Sequence, residues 1–182
     1  LSLHDALPIL VQDSQLFGWG AGVSEDGDVA AVGCLGLTDA TQSRIYIYDK
    51  SGSSYVERNI LENPTGETGY GNEVKLSYDG SILVASHSRY GVGATGRVYI
   101  YDDVGGTFTQ RQVIDKPDTL ALGIPGGSFN SNNDYFGDGI ALSQDNMSLI
   151  IFLPNWVVSP SPGYATPLVL MYKLNQITNN YE

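Results

Sequence analysis

The chain carries little positive charge: nine Lys plus Arg stand against 20 Asp plus Glu, for a formal net charge of −11. Nucleic-acid binding draws on clustered cations that displace counterions from phosphates. No such cluster exists here, so nucleic acid is excluded as a partner, and anionic membrane surfaces are disfavoured for the same reason. A single cysteine, Cys34, leaves no internal disulfide framework and no cysteine-based zinc site. No apolar run approaches the roughly 20 residues of a membrane-spanning helix. No membrane insertion is therefore expected in this segment, and no stretch has the period of a long amphipathic helix. Glycine is abundant, at 22 of 182 residues, with 12 tyrosines and 42% hydrophobic residues overall. That mixture suits many short strands joined by tight turns.

The opening "LSLHDALPI" resembles a translated sequencing adapter. Residues 1–9 are accordingly expected to be a non-biological leader. The alternative readings, His4 and Asp5 as a catalytic pair or the segment as the end of a signal peptide, are set aside on that resemblance.

Internal repetition dominates the remainder. "RIYIYD" at 44–49 returns 53 residues later as "RVYIYD" at 97–102, and "VSEDGDVAAV" at 23–32 returns at the same interval as "LSYDGSILVA" at 76–85. Phe17-Gly18 matches Tyr70-Gly71, and "YVERNIL" at 55–61 matches "FTQRQVI" at 108–114. A looser third copy starts at Phe136-Gly137, continues through "LSQDNMSLII" at 142–151, and reaches "LVLMYK" at 168–173 after a longer insertion. Each copy reads as four strands. The first alternates, with Ala21/Val23, Val74/Leu76 and Ile140/Leu142 on one face. The second is almost continuously apolar, the third is β-branched and tyrosine-rich, and the fourth alternates again as Tyr55, Glu57, Asn59 against Val56, Arg58, Ile60. Asp26-Gly27, Asp79-Gly80 and Asp145-Asn146 supply the positive φ of hairpin turns between first and second strands. Ser51-Gly52 and Gly105-Gly106 do so between third and fourth. Four antiparallel strands per repeat of about 50 residues is the pattern of a propeller blade. The expected fold is all-β: a partial β-propeller of three consecutive four-stranded antiparallel blades at about 13–62, 66–115 and 134–182, the third incomplete and lacking its outer strand.

These spacings resemble the FG-GAP repeat, the blade type of integrin α-subunit propellers. Phe17-Gly18, Tyr70-Gly71 and Phe136-Gly137 stand for the "FG". Val32-Gly33-Cys34, Ala85-Ser86-His87 and Phe152-Leu153-Pro154 stand where "GAP" would be, with only Gly33 and Pro154 matching literally. The resemblance covers about residues 13–182. It implies a secreted or cell-surface protein, a non-catalytic protein- or glycan-binding adhesion module, and partnership with the remaining blades of a full-length chain. A calcium-binding loop of this repeat would place oxygens at alternating positions before the turn glycine. Those positions hold Asp26, Ser24 and Gly22 in the first copy, Asp79, Ser77 and Lys75 in the second, and Asp145, Ser143 and Ala141 in the third. Calcium takes six to eight oxygens, and each loop offers about two side chains, so no metal and no cofactor is expected and the segments read as turns.

Other constellations are weaker. The Ser-x-Asp-Gly turns are one residue short of the sialidase pattern, and four of the five arginines are repeat-equivalent pairs, Arg44 with Arg97 and Arg58 with Arg111. Paired positions of that kind read as structural bridges between blades, leaving a degenerate sialidase-like hydrolase as a lesser alternative. His87 lacks an accompanying nucleophile motif and reads as a loop-edge histidine. Cys34 reads as a small buried hydrophobe. Asn146-Met147-Ser148 is a glycosylation sequon on a turn. Two long connections, 115–135 and 154–167, emerge on the face opposite the hairpin turns and carry Phe129, Trp156 and Tyr164. With Tyr90 and Arg89 on the same face, these five form the expected ligand-binding set, and no catalytic residue is expected. The alternative is a structural repeat array that binds nothing specific.

Overall fold

A computed structural model describes residues 15–36, 38–117, 135–154 and 167–182. The alternating and continuous apolar runs become twelve strands in three antiparallel sheets of four. The first sheet is β1 (Gln15–Val23), β2 (Val29–Gly36), β3 (Arg44–Ser51) and β4 (Ser54–Glu62). The second is β5 (Val74–Leu76), β6 (Ile82–His87), β7 (Arg97–Val104) and β8 (Thr107–Asp115). The third is β9 (Gly139–Leu142), β10 (Ser148–Leu153), β11 (Leu168–Asn175) and β12 (Asn180–Tyr181). Strands pair in chain order within each sheet, as short hairpin turns require.

The sheets stack side by side, with β1 against β5 and β5 against β9. Two apolar layers hold the stack. Ala31, Ile45 and Ile47 of the first sheet meet Tyr70, Val74, Leu83, Ala85 and Tyr99 of the second. Val84, Val98 and Ile100 of the second meet Phe136, Ile140, Leu149 and Ile151 of the third. Burying each aliphatic side chain contributes roughly 1.5–3 kcal/mol, so a four-stranded unit gains much of its stability only from its neighbour. That is why a repeat period appears in the sequence at all.

The structure corrects the sequence reading at four points. The third sheet has an outer strand after all, two residues long, in which Tyr181 pairs with Leu174. The alternation expected of the fourth strands breaks at one bulge each, between Ile47 and Tyr48 in the β3–β4 ladder and between Ile100 and Tyr101 in the β7–β8 ladder. The extra residue is Arg58 in β4 and Arg111 in β8, and a bulge re-aims the side chain it carries. Both arginines point at the next sheet: Arg58 pairs with Asp103 at 2.5 Å and lies over the Phe108 ring, and Arg111 lies over the Tyr181 ring. Arg44 and Arg97 do not bridge sheets. They clamp Glu62 and Asp115 across their own sheets. Finally, pairing of Ile140 with Ile151, beside Val74 with Ala85, puts Ile151-Phe152-Leu153 in the register of Ala85-Ser86-His87, one residue before the segment expected there.

One difference between copies yields a stability prediction. Tyr101 is 6% exposed and its hydroxyl lies 2.8 Å from that of buried Tyr70. Tyr48 holds the same place in the first sheet, but the residue matching Tyr70 is Phe17, and the buried Tyr48 hydroxyl has no hydrogen-bond partner among the described residues. Burial pushes the Tyr48 phenol up to about 12. The Phe17 ring meets Tyr46 edge-on at 5.5 Å, as Tyr70 meets Tyr99 at 5.6 Å. Phe17→Tyr should therefore give Tyr48 its missing partner and stabilise the protein by about 1 kcal/mol. Urea denaturation of the two proteins checks it, and a loss of stability would count against the equivalence of the two sites.

Candidate functional site

Each sheet enters through an aromatic–glycine pair. Gly18, Gly71 and Gly137 sit at φ of +84°, +84° and +90°, a left-handed conformation that glycine alone adopts cheaply. The residue that follows is therefore delivered to the same place in every sheet. These residues are Trp19, Asn72 and Asp138, spaced 53 and 66 apart in the chain. The three sheets bring them together in a row. Trp19 donates its indole Nε1–H to Asn72 Oδ1 at 3.1 Å, and Asn72 donates Nδ2–H to Asp138 Oδ1 at 3.4 Å. Asn72 is buried, whereas Trp19 is 58% exposed and Asp138 is open to solvent.

The row forms one wall of a cleft of about 260 Å³ whose other lining residues are Arg89, Tyr135 and Pro154. Arg89 follows β6 and Pro154 follows β10, so the cleft opens on the end of the sheets where second strands connect to third strands. In the sequence, Tyr135 ends one of the two long connections and Pro154 begins the other. Arg89 makes no ion pair with any described residue. The cleft thus gathers an indole ring, an amide, a carboxylate and a solvent-exposed guanidinium. Such a set can stack on a sugar-like ring, fix an anionic group and accept a proton.

Of the five residues expected to bind a ligand, Arg89 lines the cleft. Tyr90 lies beside it in sequence but serves packing: the Arg97 guanidinium sits 3.9 Å from its ring centroid and His87 meets it edge-on. Phe129, Trp156 and Tyr164 lie outside the described residues, as do His4 and Asp5. Trp19, Asn72 and Asp138 escape a reading of the sequence because they differ chemically. The signal that would find them is position: each is the second residue after the aromatic of an aromatic–glycine pair.

His87 is the last residue of β6, at the loop edge, and is fully buried. Its Nε2 lies 2.9 Å from the Thr68 carbonyl and its ring meets Tyr70 edge-on. Burial pushes the imidazole below its ordinary pKa, and the contact with the Thr68 carbonyl holds the preceding loop to the sheet. Cys34 is buried, and burial raises its thiol pKa. The sequon residue Asn146 occupies its turn at φ +59° with its Oδ1 shut from solvent.

The acidic turns are closed by their own hydrogen bonds. Asp26 Oδ1 accepts from Ser24 Oγ at 2.5 Å and from the Asp28 amide at 3.0 Å, while Ser24 Oγ accepts from the Val29 amide at 2.9 Å. Asp79 and Ser77, and Asp145 and Ser143, repeat the pattern. These bonds, foremost the one from Ser24 in the first turn, from Ser81 in the second and from Ser143 in the third, hold the three carboxyls below the usual aspartate range. The serine and aspartate that could be taken for metal ligands serve as turn-builders. Among the described residues, no cluster of three or more His, Cys, Asp or Glu side chains is placed to hold a metal.

Neither a protein-family model nor a curated protein matches the chain. Solved structures do. One is a "putative 6-phosphogluconolactonase" from Bacteroides uniformis, with a TM-score of 0.61 and 12% identity over 94% of this chain and 40% of that one. Another carries the same description, comes from Bacteroides fragilis, and gives 0.57 and 13% over 89% of this chain and 36% of that one. The chain therefore spans less than half the length of the proteins it resembles. These comparisons overturn the expected non-catalytic adhesion module: the proteins that share the fold are described as enzymes, and neither is described as an adhesion protein. At such identity the likeness is one of fold alone.

Proposed function

We propose that the chain supplies three blades of a β-propeller enzyme of lactonase type, which opens the cyclic ester of an anionic sugar acid at the cleft of Trp19, Asn72, Asp138 and Arg89. The observation that carries this reading is the convergence of a carboxylate, a guanidinium with no ion pair to any described residue and an exposed indole on one cleft, with the row of Trp19, Asn72 and Asp138 at repeat-equivalent positions of three sheets. The aromatic–glycine starts and the stacked four-stranded units support the propeller reading, with further sheets of the same kind completing the ring. Fold alone does not assign chemistry, so the weight rests on the cleft residues.

In this reading the Trp19 ring stacks on the apolar face of the sugar. Arg89 pairs with its anionic substituent, as a planar guanidinium does well with phosphate or carboxylate. Asp138, with one oxygen tied to Asn72, uses the other to take a proton from water. The water oxygen bonds to the ester carbonyl carbon, the ring C–O bond breaks, and the proton passes to the departing alkoxide, leaving a hydroxy acid. The test is hydrolysis of 6-phosphoglucono-lactone by the purified protein, with uncharged gluconolactone alongside. Turnover above the spontaneous rate, faster for the charged lactone, is expected. Folded protein that accelerates neither lactone would sink the reading.

A further inference from the structure

Arg89 brings its guanidinium to the cleft from a turn that is rich in glycine. Between β6 and β7 the chain runs from Ser88 to Gly96, with Gly91, Gly93, Ala94 and Gly96 all at positive φ. Three glycines within six residues leave the unfastened backbone many conformations, so a well-placed arginine here needs its turn tied down from outside. At the far end the Tyr135 and Phe136 amides donate to the Ala94 and Thr95 carbonyls at 3.0 and 3.1 Å. At the near end, two residues beyond Arg89, the Gly91 amide donates to Glu67 Oε2 at 2.7 Å. Glu67 belongs to the connection between the first and second sheets, and that connection is itself anchored. The Thr68 carbonyl lies 2.9 Å from His87 Nε2, and the Gly69 amide donates to Ser43 Oγ at 3.1 Å. The Arg89 stem runs along Gly69, where an added methyl group would stand 3.2 Å from Arg89 Cβ and 3.4 Å from Cδ. The first sheet is built differently. Gly36 holds the place of Arg89 there, and the turn is closed from within by Asp39, whose Oδ1 accepts from the Thr41 amide at 2.9 Å.

We infer that Glu67 is a positioning residue that sets the preference of the cleft for an anionic ligand group, by fixing the turn from which Arg89 projects; this rests on the reading of the cleft as the site of an anionic sugar lactone. A hydrogen bond from a backbone amide to a carboxylate is stronger than one between neutral groups. Glu67 also forms no ion pair with Arg89. Its carboxylate holds the backbone, so the guanidinium keeps its donors for a ligand. Without that hold Arg89 would sample directions away from the cleft, and a ligand would have to order the turn on binding, which lowers affinity. Such an effect falls on the binding of a charged group and not on the proton transfer assigned to Asp138.

Glu67→Ala should raise KM for 6-phosphoglucono-lactone by about tenfold, the scale of one hydrogen bond to a charged group. Its kcat, and its KM for uncharged gluconolactone, should change little. Glu67→Gln keeps an acceptor oxygen and should restore most of the loss. In an Arg89→Met background Glu67→Ala should add nothing, because Glu67 acts only through the arginine. Hydrogen–deuterium exchange should quicken across 88–96 in Glu67→Ala while β6 and β7 stay protected, which separates a loosened turn from a lost fold. If Glu67→Ala does not fold, Glu67→Ser takes its place. A KM that is unchanged, or that rises equally for both lactones, would overturn the inference, as would unaltered exchange across the turn or an additive effect beside Arg89→Met. If the unmodified protein turns over neither lactone, the reading of the cleft fails, and titration with inorganic phosphate decides the role of Glu67 separately. Phosphate binding that Arg89→Met abolishes and Glu67→Ala weakens would uphold that role, and any other result would overturn it.

Discussion

Gly33→Ala should cost the protein several kcal/mol and separate the first sheet from the second. A methyl group built on Gly33 would lie 2.0 Å from the Gly71 carbonyl oxygen and 3.0 Å from its carbon. Both atoms are backbone, so no side chain can swing away. Gly71 itself is held in the left-handed region at φ +84°, where its amide bonds to the Ser86 carbonyl at 2.9 Å. Relief requires the sheets to part, and the Ala31/Ile45/Ile47 layer would lose its contact with Tyr70, Val74 and Leu83. Overpacking a well-filled interior typically costs about 1–3 kcal/mol, occasionally more. Here the obstacle is rigid and the loss extends across a sheet interface, so the upper end or beyond is expected. Gly52 makes the comparison. It sits at φ +63° with open space within 4 Å of where an added methyl group would stand, so Gly52→Ala should cost only the left-handed backbone penalty, roughly 1–2 kcal/mol. Urea denaturation that ranked the two equally would show that Gly33 is not a packing residue.

Gly33 also illustrates how far the sequence can be read. It stands in the segment compared with the "GAP" half of the repeat, yet its role there is contact with a residue about 40 positions on, which no local pattern encodes. Strand order, the hairpin turns and the aromatic–glycine entries are legible because each is local: apolar alternation, Asp-Gly dipeptides and positive-φ glycines act over a few residues. The bulges at Arg58 and Arg111 are not, since an inserted residue changes the ladder without changing the alternating composition. Their repeat-equivalence hints at a bridging role, and the same hint misleads for Arg44 and Arg97, which pair within their own sheets.

The site is legible to a lesser degree for a related reason. Aromatic residues on long connections are conspicuous, but the cleft is built from strand entries, and its members share position rather than type. Arg89 stands out because it breaks the repeat. Trp19, Asn72 and Asp138 are hidden because they conform to it in place while differing in chemistry. The turn serines and aspartates keep one identity in all three copies because they build the turn, whereas the cleft residues vary, and in the proposed reading each has a separate task.

That division of tasks sets the second large effect. Asp138→Asn should lower lactone hydrolysis by about 100-fold or more, the scale of a lost general base, while leaving the fold intact. The carboxamide is nearly isosteric and can still accept from Asn72 Nδ2 through its oxygen, so the hydrogen-bonded row that begins at Trp19 Nε1 survives. What disappears is a group able to take the proton of the attacking water. In the proposed reading substrate binding, by contrast, rests on Arg89 and Trp19. Arg89→Met should therefore raise KM for the charged lactone with a smaller change for the uncharged one, whereas Asp138→Asn should act on kcat for both. Steady-state kinetics on the two lactones separate the effects. An Asp138→Asn enzyme that keeps wild-type kcat would remove the carboxylate from the chemistry, and the cleft would then need another residue as its base.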